Sequence, residues 1–172
     1  SFTDQVAYHM VRTIVTVFCR VWCRMSIEGR EHVPSSGPFI LAPTHRSIID
    51  TPVASGVHRK RMRFMGADKW WSNKVLFPEG ERKSGPVVQP LFEGAAYLAM
   101  RTGVPIVPVG IGGSERVMPK GARFIRPRKL YVIVGAPLHV STSGSGKEQR
   151  AAARELTHQL HAEMQRLFDA AQ

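Results

Sequence analysis

The sequence predicts an α/β fold, a mixed and largely parallel sheet flanked by helices, with an amphipathic helix at its N-terminus. Three observations carry that expectation. Short apolar runs rich in β-branched residues alternate with stretches of helical periodicity. Both ends of the chain repeat apolar residues three and four apart. Finally, 172 residues of which 43% are hydrophobic suit one core, with roughly two thirds of the unfolded surface to bury and no need of a disulfide or metal staple. The expected division is a helix over 1–25 and a single domain over 26–172.

The N-terminal helix rests on Val6, Met10, Ile14, Val17, Phe18, Val21 and Met25, with a second stripe at Ala7, Val11, Val15 and Trp22. Its narrow polar strip, His9, Arg12, Thr16, Arg20 and Arg24, is basic, and no acid follows Asp4 until Glu28. Such a helix suits a membrane interface. Simple packing on the domain explains the same pattern. Residues 26–28 and 38–42 read as short strands, the second apolar on both sides. Ser47 is the expected N-cap of a helix reaching about residue 57, with Asp50 and Pro52 in its first turn. Further strands are expected at 61–66 and 74–77, and a helix over 91–101 closed by Gly103. Residues 105–111 and 129–135 are β-branched strands, the first crossed by Pro108 and so expected to be irregular there. The Ser/Thr/Gly stretch 141–146 is a loop. A helix over 147–170 ends the sequence, apolar at Ala152, Leu156, Leu160, Met164, Leu167 and Phe168.

Composition narrows the partners. With 24 Lys+Arg against 13 Asp+Glu the net charge is +11, and the pI is near 10.5. An excess of this size points to nucleic acid, an anionic membrane or a phosphorylated substrate. No run approaches the ~18 apolar residues of a spanning helix. The opening SFTDQVAYHM has no basic segment leading into an apolar one, so no secretory signal is expected there. Cys19 and Cys23, four apart on one helix, are poorly placed for a disulfide and make only half a zinc site; they read as small apolar side chains.

Two short segments carry chemistry. In Thr44-His45-Arg46-Ser47-Ile48-Ile49-Asp50 an imidazole sits at a strand-to-helix junction with a carboxylate five residues on. If the helix starts near Ser47, Asp50 folds back toward the ring, fixing its tautomer and stabilising the imidazolium that forms when the other nitrogen takes a proton. A loop His near a capping Asp gives the same spacing. The second segment, Phe77-Pro78-Glu79-Gly80-Glu81-Arg82-Lys83, makes a sharp bend crowded with charge at a strand end, where open α/β sheets place ligands. Alone it is an ordinary turn.

In order, with the strand Val104-Pro105-Ile106-Val107-Pro108-Val109 after them, these segments resemble the glycerolipid acyltransferase family of lysophosphatidic acid acyltransferase type. His45 and Asp50 match its His-x4-Asp motif, and Phe77, Pro78, Glu79 and Gly80 match its Phe-Pro-Glu-Gly motif letter for letter; the resemblance covers about residues 38–138. It implies the fold of that family and transfer of a fatty acyl group from an acyl-CoA or acyl carrier protein thioester to a hydroxyl of lysophosphatidate. On that reading His45 is the general base and Asp50 orients it, with no metal or cofactor beyond the thioester co-substrate. Phe77, Pro78, Glu79 and Gly80 shape the acceptor pocket, and Arg82 and Lys69 bind the phosphate. An anionic membrane is the expected partner surface, and the cytoplasmic face of the cell membrane the expected peripheral location.

Departures from the family pattern are Thr44 in place of the usual Asn, Arg46 in place of a neutral residue, and Glu81 in place of Thr or Ser. A larger one lies near 71–75, where the family carries a few dozen more residues, including a phosphate-binding Arg, and only Ser72-Asn73-Lys74 stand here. Three residues cannot hold the helix and strand expected, which favours an omission there; the intact mass, set against 19.1 kDa, decides.

Other readings are weaker. A nucleic-acid module would use the basic clusters at 59–63 and 120–129, but aromatics are 8% and Phe64 and Phe124 are thin material for base stacking. A scaffold without chemistry has no use for His45 and Asp50. Glycerol 3-phosphate, another lysophospholipid or a glycolipid hydroxyl are alternative acceptors for the same dyad.

Overall fold

The structure, a computed structural model, describes residues 2–58, 62, 85–88, 91, 93–119, 121–139 and 146–172. The elements are α1 (Phe2–Trp22), β1 (Ser26–Glu28), β2 (Ile40–Pro43), α2 (Asp50–Ser55), α3 (Gly94–Thr102), β3 (Ile106–Gly112), α4 (Ser114–Val117), β4 (Tyr131–Val134) and α5 (Gly146–Ala170). The strands form a sheet in the order β1-β4-β3-β2. β1 pairs parallel with β4 and β2 parallel with β3, while β3 and β4 run antiparallel. A mixed, largely parallel sheet was the expectation, and it holds. The strands expected at 61–66 and 74–77 lie outside the described residues.

Alternation along β3 sorts the core into two layers. Val107, Val109 and Ile111 face one side, where Cys19, Cys23, Ile49 and Val53 from α1 and the α2 region meet them. Ile106 faces the other, with Ala95, Ala96 and Ala99 of α3 and Leu156, Leu160 and Met164 of α5. α5 crosses β3 so closely that a Cβ at Gly110 or Gly112 would run into the backbone of Leu167 or Ala171. Glycine is needed there for proximity. Along α5 the buried alanine is Ala153, one residue on from the expected Ala152.

Pro108 leaves the pairing of β3 with β2 regular, but on the β4 side the ladder is irregular there, as expected: it ends at Val109 opposite Val134 and resumes at Ile106 opposite Leu138 with one residue extra. Its carbonyl accepts from Gly135 N–H at 2.9 Å, so its nitrogen faces the same edge, just beyond Val134, where β4 ends. The missing donor therefore falls where no ladder bond is required. α3 starts three residues later than expected, at Gly94, and ends as expected on Gly103, which sits at φ 68° and donates its N–H to Ala99 O at 2.7 Å.

The orientation of α1 departs from simple packing of its apolar stripe. Its inner face is Tyr8, Arg12, Val15, Thr16 and Cys19, continued by Cys23 just past its end, and the exposed side carries Val6, Met10, Ile14, Val17, Phe18 and Val21. Arg12, placed by its polarity on the outward strip, turns inward because it has a task there. Its Nε donates to Ser55 O at 2.9 Å, and Arg30 Nη2 donates to Gly56 O at 2.6 Å. Two cations thus meet the orphan carbonyls at the end of α2, the favourable sign for a helix C-terminus. The cysteines are free and buried. Burial, and then Cys23, pushes the Cys19 thiol from 9.0 up to about 11, and burial raises Cys23 too.

Candidate active site

The site begins where β2 ends. Because β2 and β3 are parallel, Thr44 and His45 leave the sheet at its carboxyl edge, where Thr44 meets Ile111 and where open α/β sheets bind ligands. Thr44 is fully buried; its N–H donates to Val109 O and its Oγ1 accepts from Ile111 N–H, both at 2.9 Å. This side chain extends the pairing of β2 with β3 by one step and fixes the residue before His45.

Asp50 opens α2, and the expected helix start at Ser47 is corrected accordingly. Residues 46–49 form a turn, and the cap works in reverse: the Asp50 carboxylate accepts the N–H groups of Arg46 and Ser47 through Oδ2, at 2.5 Å each. Asp50 is completely buried, so these charge-assisted bonds replace the water it has lost. The same oxygen lies 3.6 Å from His45 Nδ1. That is ion-pair range and just beyond a hydrogen bond, a spacing that catalytic pairs without substrate often show. Nδ1 is the ring nitrogen that faces the carboxylate.

The neighbours lock this turn. Ser47 Oγ, expected to cap the helix, instead donates to Met118 O at 2.7 Å. Arg46 is buried; its guanidinium lies 4.7 Å from the Phe168 ring centroid and donates to Val87 O at 2.8 Å. Val88 N–H donates to Gln165 Oε1 at 2.6 Å, and Val88 O lies 2.8 Å from His161 Nε2. The chain that follows the Phe-Pro-Glu-Gly segment is therefore held between the His45 turn and α5. Sequence reasoning missed Thr44, Arg46, Phe168, His161 and Gln165 as supports; the visible signals were the two departures flanking His45, Thr44 and Arg46.

Of the residues singled out in the sequence, His45 and Asp50 are brought together. Lys69, Phe77, Pro78, Glu79, Gly80 and Arg82 lie outside the described residues. A groove of about 430 Å³ runs between α1 and α2, with Ala7, Val11, Val15 and Pro52 in its walls and Thr51, the residue after Asp50, beside them.

A family model described as Acyltransferase matches residues 24–75 and 71–112. The chain belongs to the acyltransferase family. The two matched segments meet at 71–75, the stretch where the resemblance expects more residues. Among curated relatives, a chloroplastic 1-acyl-sn-glycerol-3-phosphate acyltransferase of Brassica napus is 32% identical over 158 residues, taking in 69% of this chain and 46% of its own length. One from Arabidopsis thaliana is 27% identical, over 69% and 44%, and one from Cocos nucifera 22% identical, over 88% and 50%. The chain thus spans about half the length of these relatives or less. The crystal structure of the 1-acyl-sn-glycerophosphate (LPA) acyltransferase PlsC from Thermotoga maritima superposes with a TM-score of 0.66 at 21% identity, covering 89% of this chain and 79% of that one, and so shares the fold.

Proposed function

We propose that this acyltransferase moves a fatty acyl group from an acyl thioester, on CoA or acyl carrier protein, to a hydroxyl of lysophosphatidate in phospholipid synthesis, working peripherally at the cytoplasmic face of the cell membrane. The observation that carries the reading is the dyad: His45 Nδ1 faces a wholly buried carboxylate at 3.6 Å, on a turn fixed by backbone donors, at the carboxyl edge of the parallel strands. The curated relatives bear the name of that reaction.

The acceptor hydroxyl gives its proton to His45 Nε2 as its oxygen attacks the thioester carbonyl. Asp50 holds the ring with Nδ1–H toward Oδ2 and stabilises the imidazolium. Collapse of the tetrahedral intermediate breaks the carbon–sulfur bond, and the proton on Nε2 passes to the departing thiolate. Ester and thiol are the products, with no acyl-enzyme. The reaction calls on no cofactor beyond the thioester. The apolar groove between α1 and α2, next to the helix that carries Asp50, supports the reading by offering an acyl chain walls of matching character. The α1 surface and the net charge of +11 support an anionic bilayer as the working surface.

His45→Ala, assayed with palmitoyl-CoA and lysophosphatidate, is expected to lower kcat by about 10²–10⁴-fold while the thermal transition stays in place. Near-native turnover in that variant would remove His45 from the mechanism.

A further inference from the structure

The loop joining α4 to β4 carries the most exposed of the large apolar side chains described. Phe124 is 82% exposed, although its neighbour Ile125 packs against the core between α1 and the sheet. One exposed ring alone needs no partner; what points to one is the charge and the further exposed apolar surface beside it. Arg123, Arg126, Arg128 and Lys129 are all exposed around it, and the run from Pro119 to Tyr131 contains no Asp or Glu. The loop is also tied to α1: Trp22 Nε1 donates to Ile125 O at 3.1 Å, and Trp22 stacks on Phe18 with ring centroids 6.1 Å apart. Both rings are exposed on α1, exposed Arg20 lies in the same stretch of helix, and exposed Arg24 follows just past its end.

We propose that residues 121–129 form a second lipid-contacting element, in which Phe124 enters the boundary between headgroups and acyl chains of an anionic bilayer beside the exposed side of α1, while Arg123, Arg126 and Arg128 pair with lipid phosphates. The proposal rests on the preceding reading of α1 as an interfacial helix and adds a contact distant in sequence. Charge selects the occupant. A second copy of this chain would bring more cations to the same face, whereas an anionic leaflet complements them. Two anchors also fix orientation, because one helix lying in the interface can roll about its axis and a helix pinned to a loop cannot. The Trp22–Ile125 bond is that pin.

The test is co-sedimentation of the chain with vesicles of phosphatidylcholine alone and of phosphatidylcholine containing a third phosphatidylglycerol, using wild type, Phe124→Ser, the Arg123→Gln/Arg126→Gln/Arg128→Gln triple variant, and Ile14→Ser/Val21→Ser in α1. Phe124→Ser is expected to weaken binding about tenfold on the anionic vesicles. The triple variant is expected to weaken it about fivefold per cation there and not at all on neutral lipid. Wild-type affinity in Phe124→Ser, with binding lost in the α1 variant, overturns the loop and leaves α1 standing. The reverse pattern overturns the reading of α1 and keeps the loop. A wild-type chain that ignores both vesicles, or that dimerises through Phe124 in solution, overturns the proposal outright.

Discussion

α5 and α1 carry equally clear helical periodicity and use it in opposite ways. α5 buries its stripe completely: Leu156, Leu160, Met164, Leu167 and Phe168 all lie against the sheet or α3. α1 turns its stripe away from the domain, leaving Ile14 61% and Val21 74% exposed, and meets the protein with Tyr8, Arg12, Thr16 and two cysteines. Amphipathicity specifies a helix and a preferred environment for one side. It does not specify that the environment is the protein's own core. What decides for α1 is chemistry that hydropathy ignores: the orphan carbonyls of Ser55 and Gly56 require a cation, and Arg12 supplies one only from the inner side.

The contrast is sharpest in stability. Leu160 is buried to 1% on α5, and Leu160→Ala is expected to cost about 2–5 kcal/mol through lost transfer energy and the cavity left behind, read by chemical denaturation. A cost below 1 kcal/mol would mean that α5 is not the closed half of the comparison. The inner side of α1 responds more modestly. Because burial lifts the Cys19 thiol from 9.0 to about 11, its thiolate population at pH 8 is lower by about a hundredfold, and alkylation of the folded chain should be slower than that of the unfolded chain by at least that factor. The linkage has a definite sign: between about pH 9 and 11 the folded state holds the proton that the unfolded state has lost, so stability falls as pH rises through that window. Rapid alkylation at pH 8 would show that α1 lifts from the domain.

What the sequence made legible follows the same division. Strands, the two long helices and the sheet class came from periodicity, a local signal that the core then enforces. The pairing of His45 with Asp50 came from spacing together with the family resemblance, since the spacing alone fits a loop His near a capping Asp, and the two residues meet by a route the spacing did not suggest. Asp50 does not sit a turn inside a helix capped by Ser47; it begins the helix and gathers the N–H groups of Arg46 and Ser47 on one oxygen. The supports of that turn, Val87, Met118 and Phe168, come from 41 to 122 positions away, and no window on the sequence contains them. Pro108 was half legible: the ladder on the β4 side breaks there and resumes one residue out of register, while the pairing with β2 runs through undisturbed because its donor is not asked for on that side.

The smallest effect is the one that discriminates best. Ile14, on the outward side of α1, touches water on more than half its surface, so Ile14→Ser removes little buried area and should shift the unfolding free energy by no more than about 0.5 kcal/mol in free solution. The two residue types have nearly equal helix propensity, which removes the obvious local confounder. The same denaturation series repeated with anionic vesicles should separate wild type from variant, because a surface that binds only the folded chain adds RT ln(1 + L/Kd) to its stability at free lipid concentration L. Equal stabilities with and without lipid would place the outward side of α1 beside ordinary solvent-facing helices. A loss of 2 kcal/mol without lipid would mean instead that Ile14 is packed, and the difference between the two helices would disappear.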